Sequence, residues 1–186
     1  REQINDIAES LPSTLIIIDE AYVEFTGNSL VELCNIHDNI IIVRTFSKAF
    51  GIAGLRLGYT ISSLKLSKYL KATRNGKEVN ALAQVAGKTC LDNINLMYDY
   101  INEIKISKSF TLKSFTGLGL KCIPTPANFV LLKIDEPKDF VYKLRSKGIL
   151  VRDISTLPQL EGYIRITLGS LKFMERFFSR LNQLGI

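Results

Sequence analysis

The sequence has no tryptophan, a single histidine (His37) and only three cysteines among its 186 residues. Cys34, Cys90 and Cys122 are widely separated and form no Cys-x-x-Cys pair, which argues against both a disulfide framework and a zinc site. One histidine argues equally against a histidine-based metal centre. We therefore expect no metal, and a reducing cytoplasm as the protein's location.

Long apolar runs are also missing. The longest, such as Leu15–Ile18 and Ile40–Val43, have the length of strands and fall far short of the ~18 residues that a membrane-spanning helix needs. Residue 1 begins a polar, helix-like segment without the basic start and hydrophobic run of a secretory signal. We therefore expect no membrane partner.

The chain carries an excess of basic side chains, with a net charge of +6 and a pI of about 9.2. These residues are scattered, and neither a nucleic-acid-binding motif nor a basic tail accompanies them. We expect them to be solvated lysines on helix faces, with no nucleic-acid partner. The alternative is attraction of an anionic small-molecule substrate.

Short apolar runs alternate with polar joints at the start of the chain. Leu15–Asp19 is β-branched and too short for a helix, which predicts a strand buried on both faces. Asn39–Thr45 repeats this pattern, and Leu57–Ser62 gives a weaker third strand. This alternation is typical of a parallel or mixed α/β sheet.

The remainder divides into a helical part and a mixed part. Apolar residues at helical spacing predict helix from Leu64 to about Phe115, broken at Arg74–Gly76 and ended by Gly117–Gly119. After it, strands are predicted at Cys122–Ile134, Ile149–Arg152 and Gly162–Leu168, and helices at Pro137–Lys147 and Leu171–Leu184. This order indicates a compact α+β domain.

Two charged residues follow the first two predicted strands. Asp19 ends one strand and Lys48 comes shortly after the next, so parallel strands would bring both to the carboxyl edge where open α/β sheets bind ligands. A lysine at an apolar strand end can have a lowered pKa and act as an amine nucleophile. A structural ion pair between Asp19 and Lys48 is the alternative, and the residue types alone leave it open.

Four motifs resemble the pyridoxal-phosphate aminotransferases of fold type I, and within them the histidinol-phosphate aminotransferase branch. They are DEAYVEF at 19–25, TFSKAFGIAGLRLGY at 45–59, GILVRD at 148–153 and LEGYIRITLG at 160–169. The resemblance implies an α/β fold and a homodimer. Residues 1–104 would be the second half of the large cofactor domain, with a mostly parallel sheet and a long helical connection, and residues 105–186 a small C-terminal α+β domain.

The resemblance also implies a role for each residue at the predicted sheet edge. Lys48 would form a Schiff base with the aldehyde of pyridoxal 5′-phosphate and then transfer a proton at the substrate's α carbon. Asp19 would keep the pyridine nitrogen protonated, and Tyr22 would hydrogen-bond the ring's 3-oxygen. The cofactor phosphate would be bound by Ser47, Arg56 and, as a weaker candidate, Thr45, because hydroxyls and a guanidinium suit a dianion.

Two arginines of the C-terminal part match substrate-binding positions. Arg165 corresponds to the arginine that binds the substrate carboxylate through a bidentate contact that lysine cannot make. Arg152 corresponds to a second arginine near the substrate's acidic end, with a surface ion pair to Asp153 as the alternative. For Asn128, a backbone-bonding role is favoured over substrate contact.

This chain departs from the branch in two ways. The family's chains are a good deal longer toward the N-terminus, so we expect a fragment whose 186 residues are inactive alone. The stretch Arg74–Asn80 also differs from the branch's pattern of arginine, proline, an aromatic residue and asparagine. Because the stretch that contains Arg74 and Asn80 is altered, the resemblance leaves the identity of the substrate open.

Three hypotheses remain at this stage. The first is a transaminase that moves an amino group between a phosphorylated or otherwise anionic amine and 2-oxoglutarate. The second is a pyridoxal-phosphate-dependent decarboxylase of a phosphorylated amino acid, similar to threonine-phosphate decarboxylases. The third is a non-catalytic domain fragment that binds no cofactor.

Overall fold

The structure, a computed structural model, describes residues 1–76 and 78–184. Contacts divide the chain into two units, Arg1–Tyr98 and Asp99–Ile186. Each unit contains a sheet, of three and four strands respectively. None of the helices within the described ranges is both long enough and apolar enough to cross a membrane.

The first unit is built on a mixed sheet. Strands β1 and β2 run parallel, and β3 pairs antiparallel with β2. The elements in chain order are α1 (Glu2–Ser10), β1 (Ile16–Asp19), α2 (Val23–Thr26), a 3-10 turn (Val31–Asn35), β2 (Ile40–Thr45), a second 3-10 turn (Ala53–Leu55) and β3 (Gly58–Ser62). The core on one face of the sheet consists of Ala8, Leu33, Cys34, Ile40 and Ile42.

The predicted helical region forms three helices: α3 (Leu64–Thr73), α4 (Ala81–Asp92) and α5 (Ile94–Gly117). The predicted break after α3 is confirmed, whereas the interruption at Asn93 between α4 and α5 is not predicted by the apolar spacing. Helix α4 begins with Asn80 as its N-cap. The Asn80 side chain accepts a hydrogen bond from the Ala83 amide at 2.9 Å. Gly119, with a φ of 71°, lies just beyond the end of α5, as its sequence context predicts.

The second unit has an antiparallel sheet in the order β4-β5-β7-β6. Its elements after α5 are β4 (Cys122–Pro124), β5 (Phe129–Lys133), α6 (Pro137–Ser146), β6 (Arg152–Asp153), β7 (Tyr163–Thr167) and α7 (Leu171–Asn182). Helix α7 contributes Phe178 to the core, where its ring lies 4.8 Å from that of Phe115. The predicted α+β arrangement is confirmed.

Three strand predictions are wrong in detail. β1 is not buried on both faces, because Ile17 is 63% exposed while its neighbours pack on the core below. The segment 122–134 is a hairpin rather than one strand, since two prolines near its turn remove amide donors. In the segment 149–152 only Arg152 pairs with β7, together with Asp153, which follows it.

Candidate functional site

The carboxyl ends of β1 and β2 lie at one edge of the first sheet. In the parallel register Asp19 is level with Val43, and β2 continues to Thr45. The predicted common edge of these two strands is therefore confirmed. Side chains at such an edge face the region where open α/β sheets bind ligands.

The Asp19 carboxylate is exposed at this edge. It accepts a hydrogen bond from the Ala21 amide at 2.8 Å, and in the described part of the chain it forms no ion pair with Lys48. The structural ion-pair interpretation is therefore wrong. The carboxylate needs no cation to offset burial, because it is not buried.

Lys48 lies against an aromatic ring instead of a carboxylate. Its Nζ is 5.3 Å from the centroid of the Tyr22 ring, which is within the range of a cation–π contact. Tyr22 is the residue before α2, and Lys48 is the third residue after β2. The fold thus brings together two side chains that the sequence places far apart.

Two hydroxyls meet beside this pair. The Thr45 hydroxyl donates to Ser47 Oγ at 2.8 Å and accepts from the Ser47 amide at 3.0 Å. The Phe46 amide donates to the Leu57 carbonyl at 3.0 Å. That bond holds the segment that carries Arg56 next to the segment that carries Thr45 and Ser47.

Arg56 has a backbone conformation that is rare for a residue with a Cβ. Its φ is 53°, in the left-handed region, at the end of the second 3-10 turn. Its guanidinium is exposed, and Nη1 donates to the Ala53 carbonyl at 3.2 Å. Strained positive-φ residues other than glycine are concentrated at functional sites. The sequence alone gave no signal for this conformation.

In the second unit, Arg152 and Arg165 are paired directly across β6 and β7. The guanidinium of Arg165 lies 5.3 Å from the Phe129 ring centroid, and its buried Nε has no hydrogen-bond partner within the described residues. A bound anion would offset the repulsion between these two facing cations and would accept a hydrogen bond from the buried donor.

The alternative partner for Arg152 binds elsewhere. The Asp153 carboxylate accepts from the Ser155 hydroxyl at 2.6 Å and from the Ser155 amide at 2.8 Å. These hydrogen bonds lower the pKa of Asp153 below its usual range. No ion pair joins Arg152 to Asp153 among the residues that the structure describes.

Three further residues have structural partners. The Asn128 carbonyl accepts from the Leu168 amide at 2.8 Å, in line with a backbone-bonding role. Arg74 forms an exposed ion pair with Glu78 at 3.3 Å, and Asn80 is the N-cap described above. These contacts give Arg74 and Asn80 local roles in the stretch before α4.

Sequence reasoning missed a buried ion pair behind the sheet edge. Glu20, the residue after Asp19, pairs with Arg44, the residue before Thr45, at 2.9 Å. Glu24 lies nearby in α2, and burial raises the pKa of its carboxyl group. The available signal was the strand alternation, which places Glu20 and Arg44 on the face opposite Asp19 and Thr45.

A family model for aminotransferase class I and II matches residues 1–181. The histidinol-phosphate aminotransferase of Thermoanaerobacter pseudethanolicus is 36% identical over 186 residues, with 99% of this chain and 52% of that protein covered. This chain spans about half the length of the curated relatives it matches.

Solved structures of similar proteins also match nearly the whole of this chain. The histidinol-phosphate aminotransferase from Sinorhizobium meliloti, in complex with pyridoxal 5′-phosphate, matches with a TM-score of 0.85 and 27% identity over 96% of this chain and 50% of its own. The L-threonine-O-3-phosphate decarboxylase from Porphyromonas gingivalis matches with a TM-score of 0.80 and 28% identity, covering 99% and 59%.

Proposed function

Since the chain belongs to the aminotransferase class I and II family, whose members are pyridoxal-phosphate-dependent, we propose that it is part of a transaminase. The full-length protein would move an amino group between a phosphorylated or otherwise anionic amine, similar to histidinol phosphate, and 2-oxoglutarate. The observation that carries the proposal is the position of Lys48. Its amine lies over the Tyr22 ring at the sheet edge, without a carboxylate partner in the described residues.

The residues at this edge fit the cofactor. A covalent bond to an aldehyde needs a lysine amine that is not held by an acid, and Lys48 meets this condition. The exposed Asp19 carboxylate suits the pyridine nitrogen, and the Tyr22 phenol suits the ring's 3-oxygen. The phosphate dianion would be bound by Ser47, Arg56 and Thr45.

When bound, pyridoxal 5′-phosphate stabilises negative charge at the substrate's α carbon. Lys48 would hold and return the proton at that carbon, because its amine can act as a general base. Asp19 would keep a proton on the ring nitrogen through a charge-assisted hydrogen bond. Arg165 would bind the substrate carboxylate, and Arg152 a second acidic group.

Borohydride reduction of the full-length protein with the cofactor, followed by peptide mapping, tests the assignment. We expect the pyridoxyl group on Lys48 and no label in Lys48→Ala. Exposed Lys88, paired with Asp92 at 2.6 Å, is the matched control position, and Lys88→Ala should label as the wild type does. A label on another lysine would contradict the proposal.

A decarboxylase of a phosphorylated amino acid is the second candidate. The similarity to a threonine-phosphate decarboxylase favours it, as does the altered stretch Arg74–Asn80. The same cofactor site would serve both reactions. Release of carbon dioxide from a phosphorylated amino acid, without formation of a 2-oxo acid, would favour this candidate over transamination.

We further propose that residues 1–104 belong to the large domain and that residues 105–186 form the small domain. We also propose that the full-length protein is a homodimer. Several large apolar side chains of α4 and α5 are more than half exposed: Leu82, Val85, Leu96 and Tyr98. Large apolar side chains left exposed in this number are typical of a surface that another protein chain covers. Sedimentation at micromolar concentration should give a dimer, and Leu82→Glu should shift it toward monomer.

We also propose a cytoplasmic location. All three cysteines have free thiols, as expected in a reducing compartment.

A further inference from the structure

A buried acid follows Asp19 directly in the chain. Glu20 is 7% exposed, and its amide donates to the Val43 carbonyl at 2.9 Å, which extends the β1–β2 ladder by one residue. A buried carboxylate is costly unless its charge is paired and its oxygens accept hydrogen bonds. Glu20 meets both conditions.

Four residues form what we call the Glu20–Arg44 cluster: Glu20, Ser29, Leu30 and Arg44. Arg44 Nε and Nη2 each lie 2.9 Å from Glu20 Oε2. The Leu30 amide donates to Glu20 Oε1 at 2.6 Å. The Ser29 hydroxyl lies 3.2 and 3.1 Å from the two carboxylate oxygens and accepts from Arg44 Nη2 at 2.7 Å.

This cluster joins three segments that carry proposed site residues. Glu20 fixes the end of β1 at Asp19. Its bond to the Leu30 amide closes the base of the loop 20–30, which contains Tyr22. Arg44 lies in β2 directly before Thr45, and Lys48 follows shortly after the end of that strand. The bond between Arg44 and Glu20 therefore fixes the end of β2 from which the segment with Lys48 continues. One carboxylate therefore connects all three segments.

Stability alone does not account for such a cluster. A buried ion pair can often be replaced by apolar side chains of similar volume with no loss of stability, because desolvation offsets the attraction. Its directional hydrogen bonds, however, fix geometry in a way that apolar packing does not. Binding sites require side chains held to within about 0.5 Å of the productive arrangement.

We propose that the Glu20–Arg44 cluster sets the relative positions of Asp19, Tyr22 and Lys48 and thereby controls the affinity of the site for pyridoxal 5′-phosphate. The inference rests on the proposed function. Glu20 and Arg44 are positioning residues, since both act from the buried face of the sheet through the residues beside them. Loss of one such supporting partner typically weakens ligand affinity 10–100-fold at metal sites, and we expect about the same here.

The test is a visible-absorbance titration of the full-length protein with pyridoxal 5′-phosphate. Glu20→Gln and Arg44→Met should each weaken binding about 10–100-fold. The double variant should be little weaker than either single variant, because the two side chains act as a unit. Arg44→Lys keeps the positive charge but loses the two guanidinium donors that contact Glu20, so it should bind the cofactor better than Arg44→Met and less well than the wild type.

Two controls separate positioning from general destabilisation. Leu144→Ala removes a fully buried side chain of α6 in the second unit and should lower the thermal midpoint while leaving the affinity within about twofold. Asp92→Asn breaks the exposed ion pair with Lys88 and should change neither quantity. If Arg44→Met does not fold, Ser29→Ala serves instead, with an expected loss of about threefold.

The outcomes distinguish the two proposals. Wild-type protein that takes no borohydride label on Lys48 would refute the proposed function and this inference with it. Labelled wild type with cluster variants that bind the cofactor within twofold of it would refute only the inference. A loss of affinity in Leu144→Ala as large as that in Glu20→Gln would also refute it.

Discussion

Arg152 and Arg165 face each other directly across neighbouring strands, although both carry a positive charge. Like charges in this position destabilise a sheet, and the Arg165 Nε is buried without a hydrogen-bond partner in the described residues. A bound anion would offset the repulsion and satisfy the donor. The second unit therefore carries a local cost that its proposed substrate would remove.

Replacing Arg165 with lysine should weaken substrate binding. Lysine keeps the charge but cannot form two parallel hydrogen bonds to a carboxylate, and a charge-assisted bond contributes about 1.5–3 kcal/mol. We expect KM for the anionic substrate to rise about 10–100-fold, measured by steady-state kinetics of the full-length protein. Arg145→Lys, at an exposed position of α6, is the control and should behave as the wild type. An unchanged KM in Arg165→Lys would exclude the assignment.

Asp19→Asn should leave the fold intact and slow turnover by roughly two decades or more. An amide cannot hold the ring nitrogen's proton as a carboxylate does, and a lost charge-assisted contact of about 3 kcal/mol accounts for this factor. The fold should survive because the side chain is exposed and, among the described residues, accepts a hydrogen bond only from the Ala21 amide. The oxygen of an asparagine side chain also accepts this bond. Circular dichroism checks the fold, and activity within twofold of wild type would mean that Asp19 has only a structural role.

Asn39→Ala should loosen α1. The Asn39 Nδ2 lies 3.3, 3.0 and 3.1 Å from the carbonyls of Ala8, Leu11 and Thr14, so one amide group holds the end of the helix and the turn after it. Its loss should cost about 1–2 kcal/mol, equivalent to about 5–30-fold faster hydrogen exchange of the α1 amides. Exposed Asn35→Ala should leave these rates unchanged. Exchange at the wild-type rate in Asn39→Ala would show that the helix end is held by other contacts.

Cys122 should react slowly with thiol reagents. Burial raises the pKa of its thiol to about 11, so about 0.1% is thiolate at pH 8, against about a quarter of a free cysteine. Alkylation by iodoacetamide, followed by mass spectrometry of the peptide, should be at least about 100-fold slower than that of free cysteine. The rate should rise about tenfold per pH unit until near pH 11. A plateau near pH 9 would contradict the assigned pKa, and unfolding in urea should abolish the protection.

The pattern of apolar spacing was sufficient to predict most elements and the common edge of Asp19 and the strand before Lys48. Helices α3 to α7 follow from local periodicity and capping residues, which act within a few positions. The exposure of Ile17 does not follow from local periodicity, because burial of a strand face depends on which other elements cover it. The apolar run 122–134 predicts one strand, whereas the prolines within it indicate the turn that separates β4 from β5.

The site required long-range information in two places. The pairing of Arg152 with Arg165 depends on the register of β6 against β7, which the sequence between them does not encode locally. The contact of Lys48 with Tyr22 depends on the conformation of the loop after β1. Resemblance to a family supplied candidate residues for both, whereas spacing alone predicted only the shared edge.

Because the backbone of Arg56 is left-handed, selection for heat resistance and selection for turnover favour different residues at this position. Glycine or asparagine would adopt a φ of 53° more readily, relieving about 1 kcal/mol of steric cost, but either would remove the guanidinium proposed to bind the phosphate. A directed-evolution experiment scored by thermal survival should therefore lose Arg56, and one scored by activity should keep it.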